Sequence, residues 1–317
     1  MNISVVTDPD NCWKAWEQYW PTKGLFDLWP VRECFHKAFQ KPLHFVLAWE
    51  KGKVTGFLPL CWDSQAGAYV MFPGETWQGK TWIEQNRIIA ASEQVLSLML
   101  DAVPGPIHLR YLLPAGPAAQ DRLCQDEIGY LFYPGLCDYS MDNYWMSFSG
   151  KTRKKIRADL NKLEAQGVSF RFDDIQDLDH LFRMNLGVFD HYSYFSDPRF
   201  QTAFANLTRF LSRSGMLRVT TVLVAGEVAA VDLGACFKNT YTLLAGGTNP
   251  DFPGVAKVIN LHHLERACRE RFDSVDFLCG DFNWKSRFHL AERPLFQMSR
   301  ISVPAVMESE VHDRAVA

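Results

Sequence analysis

One stretch of the 317-residue sequence, DFLCGDFNWKSRF, runs from Asp276 to Phe288 and indicates both a strand and a site. Its first residues continue an apolar strand predicted over Val275–Cys279, and Gly280 ends that strand in a polar turn. Lys285 follows, so a cation is expected beside the end of a buried strand. Loops that a rigid sheet positions carry much of a protein's function.

The residues before this strand predict a regular order of elements. Three strands joined by tight turns are expected over Met216–Val224, Val228–Phe237 and Thr240–Ala245. A helix over Val255–Phe272 follows them and leads into the strand Val275–Cys279. The second half of the chain is therefore an antiparallel meander, a helix and a strand.

The first half of the chain repeats that order. Its meander is predicted over Leu43–Trp49, Val54–Trp62 and Ala68–Phe72, its helix over Gln85–Ala102 and its last strand over Ile107–Leu113. A loop rich in glycine, residues 73–80, precedes the helix. The same elements thus occur twice, although this order also recurs by chance in α/β proteins.

Equivalent positions in the two halves are separated by a nearly constant offset in residue number. A constant offset predicts a structural duplication. The sequence therefore predicts two lobes, residues 1–148 and 149–317, with a frayed tail from about residue 304. The pairs of positions are Gly52 with Gly226, Ile88 with Val258, and Ile107 with Val275.

The composition predicts a globular protein without a disulfide framework. Hydrophobic residues make up 47% of the chain and charged residues 22%, which is enough apolar surface for two cores. The net charge of -3 argues against DNA as a partner and leaves a local basic patch as the way to bind phosphates. The scattered cysteines predict reduced thiols, no metal site and a cytoplasmic location. No signal peptide or membrane span is predicted.

A basic helix is predicted between the lobes. It starts after Ser149, carries five cations within Lys151–Arg157 and presents Ile156, Leu160 and Leu163 on one face. A solvated helix end is the usual explanation for such a run. Alternatively, Arg153 and Arg157 contact the phosphates of a donor.

The doubled order of elements resembles that of tandem GNAT proteins. It is similar to the Fem-type aminoacyl transferases and to the acetyltransferase-like family associated with cellulose biosynthesis. The stretches that carry the resemblance are Lys151–Arg157, Ala245–Pro250 and Asp276–Phe288, the last being similar to Asp-Phe-x-x-Gly followed by aromatic-Lys-x-x-Phe. The resemblance implies an α/β (α+β) fold with two tandem GNAT-like lobes, each a mixed, mostly antiparallel sheet flanked by helices.

The resemblance also implies an acyltransferase. An acyl group, acetyl foremost, would pass from acetyl-CoA or another acyl-CoA to an amine or hydroxyl of a larger, envelope-related substrate. The loop Phe252–Lys257 has one glycine where typical CoA-binding GNAT proteins have (Arg/Gln)-x-x-Gly-x-(Gly/Ala). Fem-type proteins share this departure, so aminoacyl-tRNA as the donor, and tRNA as a partner, stays open. An inactive GNAT-fold scaffold is the third alternative.

Three side chains are predicted to be catalytic. Lys285 would neutralise a phosphate or polarise the reacting carbonyl, and Asp281 would orient Lys285 or accept a proton. His191, in a loop, is the natural general base by its pKa. The alternatives are a lysine that only covers apolar surface, a surface aspartate and a solvated histidine.

Further residues are predicted to bind the donor and the acceptor. Glycines at a strand end allow close approach of a ligand to the backbone, and a helix N-terminus attracts phosphate. Asp232 lies in an otherwise apolar strand, so it is expected to have a hydrogen-bonding partner. The predicted donor contacts are Gly246, Gly247, Pro253, Gly254, Lys257, Arg153 and Arg157, and the predicted substrate contacts are Trp77, Gln78, Tyr192 and Trp284.

Overall fold

The structure, a computed structural model, describes residues 1–114, 122–280 and 284–300. Asp281 and the predicted tail from residue 304 lie outside these ranges. The strands are β1 (Asn2–Val6), β2 (Leu43–Glu50), β3 (Lys53–Asp63), β4 (Ala68–Met71), β5 (Thr76–Trp77), β6 (Lys80–Thr81), β7 (Ile89–Ala90), β8 (Ile107–Leu112), β9 (Cys124–Phe132), β10 (Val168–Phe172), β11 (Leu217–Val224), β12 (Glu227–Phe237), β13 (Thr240–Thr248), β14 (Ser274–Cys279) and β15 (Ala291–Arg300).

Local sequence signals start several of the helices. Asp8 caps the first of them by accepting a hydrogen bond from the backbone N–H of Asn11, and Pro9 follows in the first turn. Asp197 and Pro198 open another helix in the same way. The helices are α1 (Pro9–Tyr19), α2 (Trp29–Phe39), α3 (Glu93–Asp101), α4 (Met141–Met146), α5 (Gly150–Glu164), α6 (Leu178–Phe189), α7 (Pro198–Arg213) and α8 (Val255–Glu270).

One predicted helix is shorter than expected. The pattern over Gln85–Ala102 predicted a helix, but α3 begins only at Glu93, because Ser92 caps it by accepting from the Val95 N–H. Before Ser92 the chain is extended, and β7 pairs with β3. Tertiary pairing has overridden the helical spacing of the apolar residues there.

A single mixed sheet of 13 strands runs through both halves of the chain. Its order is β1-β2-β3-β4-β8-β15-β9-β14-β13-β12-β11-β10, with β7 on β3. The last described strand, β15, lies between β8 and β9, while β9 pairs with β14 of the second half. Each half thus contributes one strand next to the other half. Strands from both sides of the predicted boundary at residue 148 therefore pair with one another. The division of the chain into two lobes at that residue stays a prediction.

The strand registers of the first half of this sheet repeat in its second half. Leu43 pairs with Cys61 in the first half, and Leu217 pairs with Ala235 in the second, so both partners are shifted by the same offset that relates Gly52 to Gly226. The register shifts after Ala48 in β2 and after Val222 in β11, again at that offset. Such agreement extends to irregular features, so it is not explained by a common element order alone.

The last two strands of each half, β8 and β9 in the first and β14 and β15 in the second, are related by a second constant difference in residue number. Leu109 of β8 pairs with Met298 of β15, and Leu131 of β9 pairs with Asp276 of β14. The difference in residue number between Leu109 and Asp276 equals the difference between Leu131 and Met298. Both β8 and β14 contain a residue with positive φ shortly after these positions, Tyr111 at +53° and Leu278 at +56°. β9 and β15 therefore occupy equivalent positions in the two halves.

Aromatic packing fixes the two halves against each other. Phe35 of α2 stacks on Trp82 with ring centroids 5.0 Å apart, and Phe204 of α7 contacts the same indole at 4.9 Å. Phe35 and Phe204 are fully buried. Burial of large aromatic side chains supplies much of the free energy of such an interface. The walls of the space between the halves are consequently held in place from both sides.

Candidate functional site

The main cleft opens where two parallel strands of the second half stop pairing. β13 and β14 pair from Thr240 with Ser274 to Thr242 with Asp276. Beyond that point, residues 243–248 of β13 and 277–280 face the same cleft of about 660 Å³. A volume of this size suits a small-molecule ligand. The first half supplies the opposite wall with Lys80, Trp82, Glu84, Arg110, Tyr111 and Glu127.

Lys285 holds the bulged end of β14. Its Nζ donates to the backbone carbonyls of Phe277 at 2.6 Å, Leu278 at 2.9 Å and Cys279 at 2.8 Å. An ammonium group has three N–H donors, and these bonds match that number. Only 3% of the residue is exposed. Lys285 therefore shapes the wall of the cleft through the backbone, a role that its position in the sequence did not reveal.

Glu84 brings a carboxylate from the first half to the same bulge. Its Oε1 accepts the Cys279 N–H at 2.7 Å, and its Oε2 is buried without a hydrogen bond among the described residues. Burial and the neighbouring negative charge of Asp276 raise the pKa of Glu84 to about 7. Sequence reasoning missed this residue, because no local signal links Glu84 to Cys279, which is far from it along the chain.

The charge of Asp276 is itself compensated. Its Oδ2 accepts from Arg293 Nη1 and from Gln85 Nε2, both at 2.8 Å. Arg293 belongs to β15 of the same half, whereas Gln85 belongs to the first half, so the hydrogen bond from Gln85 joins the two halves at this buried ion pair. Removing one partner of such a pair is more costly than its net contribution, because the other charge is left buried.

Asp232 has the partner that its apolar strand predicted. His263 of α8 lies with Nε2 2.8 Å from Asp232 Oδ2, and both side chains are buried. Gly246 lies opposite Asp232 in the β12–β13 register, and its carbonyl accepts from Asn185 Nδ2 at 2.9 Å. The prediction is confirmed, and the carboxylate lines the cleft.

The two glycines of β13 are packed too closely for any side chain. A Cβ on Gly246 would lie 2.4 Å from Asp232 Oδ1, and a Cβ on Gly247 would lie 2.6 Å from the Leu181 carbonyl oxygen. Both glycines line the cleft. Packing against the protein itself therefore requires glycine at both positions, and their predicted contact with a donor stays a prediction.

The structure brings together four of the predicted site residues, namely Gly246, Gly247, Trp284 and Lys285, which all line the cleft. It does not bring His191 and Tyr192 there. Both are exposed, and the His191 ring lies 3.1 Å from its neighbour Asp190, measured from Nδ1 to Oδ2. His191 is therefore not placed as a general base of this cleft.

Trp77 and Gln78 line a smaller cavity in the first half, of about 250 Å³. It shares Thr81 and Arg110 with the walls of the main cleft, so the two spaces adjoin. Arg110 is fixed by Asp126, which accepts from its Nε at 3.0 Å. This cavity lies beside β4 and β8, which pair only at Tyr69 and Ile107 and so repeat the separation of β13 and β14.

The predicted phosphate contacts lie around the start of α8 and on α5. Gly254 caps α8 with a φ of +96°, a conformation that favours glycine, and Pro253 precedes it. The Lys257 ammonium is paired with Asp159 of α5, so its charge is partly compensated. The pKa of Asp159 is lowered by this contact. Arg153 and Arg157 lie in the first turns of α5.

The mixed sheet, the bulged strand β14 and the cleft between β13 and β14 are features of the GNAT fold. Residues 150–286 match the family model of the acetyltransferase (GNAT) domain. The protein is thus a tandem GNAT-fold protein that resembles the Fem-type transferases. No curated protein matches it significantly by sequence.

Solved structures of similar fold cover nearly the whole chain. A structure of FemX is 12% identical over 94% of this chain and 97% of its own, with a TM-score of 0.57. The L-PGS of Bacillus licheniformis is 10% identical over 94% of both chains, with a TM-score of 0.56. A conserved protein of unknown function from Bacteroides thetaiotaomicron is 12% identical over 94% of this chain and 99% of its own, with a TM-score of 0.60.

Two further properties concern only the described residues. None of their helices is both long and apolar enough to cross a membrane. Their His, Cys, Asp and Glu side chains form no group of three or more that could hold a metal ion.

Proposed function

We propose that the protein transfers an acyl group, acetyl foremost, from acyl-CoA to an amine or hydroxyl of a larger acceptor. The opening between β13 and β14 is the observation that carries this proposal. Backbone groups of a strand that has lost its neighbour can hydrogen-bond an extended ligand, and the arm of CoA contains amide groups that match them. The match of residues 150–286 to an acetyltransferase domain supports the same donor.

Within this proposal the two lobes have different tasks. Residues 149–317 would bind the donor, with phosphates near Gly254 and Arg157 and the thioester in the cleft. Residues 1–148 would bind part of the acceptor in the cavity lined by Trp77 and Gln78. The shared wall residues Thr81 and Arg110 support this division, because an acceptor there reaches the cleft directly. A cytoplasmic location would supply acyl-CoA.

Aminoacyl-tRNA is the second candidate donor. Most of the cations at the start of α5 are exposed, and a phosphate backbone would pair with several of them at once. The solved structure of FemX supports the fold alone. The salt dependence of donor binding separates the two donors, because tRNA contacts release many counterions whereas CoA presents few phosphates.

The test uses acetyl-CoA and an aminoacylated tRNA as separate probes. In the triple variant Arg153→Gln, Lys154→Gln, Arg157→Gln, donor binding should weaken and its salt dependence should flatten. The control replaces three exposed cations of the first half, Lys14, Lys51 and Lys53, with glutamine, and should bind like the wild type.

Each outcome has a definite meaning. Binding of acetyl-CoA with a shallow salt slope, and thiol release from it, would support the proposal. Binding of the tRNA alone, with a steep slope, would replace acyl-CoA by the second donor. Binding of neither would favour an inactive scaffold. Donor affinity that is unaffected by the triple substitution at low salt would leave α5 as a solvated helix.

A further inference from the structure

We propose that Glu84 is the group that accepts the proton of the attacking amine or hydroxyl in the main cleft. This role rests on the acyl transfer proposed above. It assigns a catalytic task in the second lobe's cleft to a residue of the first lobe, so neither half of the chain would be active alone.

The geometry of Glu84 suits a proton acceptor. One carboxylate oxygen is fixed by the Cys279 N–H at 2.7 Å, which orients the group on the bulged strand. The Cys279 thiol also lies next to the carboxylate, but the second oxygen is buried in the cleft wall and receives no well-aligned hydrogen bond from the described residues. A buried acceptor without a well-aligned donor lowers the stability of the fold, so the presence of this oxygen in the cleft wall needs an explanation. A substrate N–H or O–H would supply the missing donor.

The surroundings of Glu84 keep it partly ionised near neutral pH. Burial raises the pKa of Glu84 most, and the charge of Asp276 raises it further. Cys279 and Arg293 lower it in part, and the net pKa is about 7. A general base works best when its pKa lies near the operating pH. The titratable or charged groups of the neighbouring elements are Asp276 and Cys279 from the end of β14, Arg293 from β15, Tyr111 from β8, and Tyr194 from the segment before α7.

Other acidic groups of the cleft are less suitable. Asp232 is committed to His263, whose Nε2 lies 2.8 Å from its Oδ2. Glu127 is exposed to solvent, and none of the hydrogen bonds among the described residues fixes its carboxylate. Lys285 is a positioning residue here, because its ammonium is directed to three backbone carbonyls.

The step balances with the groups already named. The nucleophile's nitrogen or oxygen attacks the thioester carbon while its proton passes to the Glu84 carboxylate. The new C–N or C–O bond forms, the C–S bond breaks, and the electron pair leaves on sulfur. The protonated Glu84 then returns the proton to the thiolate, so free CoA thiol is released and the carboxylate is restored.

The experiment measures thiol release from acetyl-CoA, with water and with glycinamide as acceptors, across the neutral pH range. With water as the acceptor, the wild-type kcat/KM should rise about tenfold per pH unit below about pH 7 and then level off; glycinamide serves only to show transfer to an amine, because its own amine titrates at about pH 8. Glu84→Gln should lower it by at least about 100-fold and abolish the rise, while still binding acetyl-CoA. Glu84→Ala should regain activity when formate is added. The control Glu93→Gln changes an exposed glutamate of α3 and should behave like the wild type.

The results distinguish this role from the function on which it rests. Wild-type protein that releases no thiol with either acceptor would overturn acyl-CoA transfer and the role of Glu84 together. An active wild type with Glu84→Gln within about threefold of it would overturn the role of Glu84 alone. Loss of activity in Glu84→Ala without recovery in formate, and with an unchanged pH profile in Glu84→Gln, would assign Glu84 a structural role.

Discussion

Replacing Glu84 by glutamine is expected to stabilise the protein in a way that grows with pH. The ionised carboxylate is unfavourable in the folded state, because burial and Asp276 raise its pKa from 4.5 to about 7. A pKa that is raised by folding means that the folded state binds the proton more tightly than the unfolded state does. The stability gained from the proton is therefore complete at low pH and is lost as pH rises through about 7.

The magnitude follows from the pKa. One pKa unit corresponds to about 1.4 kcal/mol, so full ionisation of Glu84 costs the folded state about 3 kcal/mol. Glutamine does not titrate and retains a carbonyl that can accept the Cys279 N–H. The free energy of unfolding of Glu84→Gln relative to wild type should hence increase by about 2 to 3 kcal/mol between about pH 5 and about pH 8. Any constant cost of the amide cancels in this comparison.

The assay is urea unfolding followed by tryptophan fluorescence at several pH values, for wild type, Glu84→Gln and the exposed control Glu93→Gln. The control should differ from wild type by a nearly constant amount, since its carboxylate is largely solvated. A stability difference for Glu84→Gln that does not change with pH would refute the reasoning. It would mean that Glu84 titrates normally and that its environment is more polar than the structure indicates.

Three further substitutions test other parts of the site. Lys285→Ala should lower turnover more than about tenfold and lower the free energy of unfolding by about 3 kcal/mol, because three buried carbonyls lose their donor. Lost turnover with a normal melting curve would instead indicate that Lys285 acts directly on the substrate. Gly246→Ala should lower the melting temperature by several degrees, since its Cβ would lie 2.4 Å from Asp232, and unchanged melting would show that β13 can shift freely. His191→Ala should leave turnover within about twofold of wild type, and a larger loss in steady-state kinetics would return this exposed residue to the site.

The local signals of the sequence predicted the elements well where neighbours along the chain determine them. The cap and proline at Asp8 and Pro9 start α1 as expected, and the turns around Gly52 and Gly226 join the strands of both meanders. The helix over Gln85–Ala102 was wrong in its first part, because residues before Ser92 are drawn into contacts with β3. Periodicity indicates which side of an element is apolar, but it does not indicate what that side packs against.

The sequence by itself determined the order of the elements, their duplication and the strand end that carries Lys285. These follow from hydrophobic spacing, turn residues and caps, which act within a few residues of the chain. Only the tertiary structure decided that β15 and β9 each lie beside the other half, that Lys285 holds carbonyls of β14, and that Glu84 meets Cys279. Those contacts join residues far apart in the chain, and the burial that perturbs Glu84 exists only once both halves have packed together.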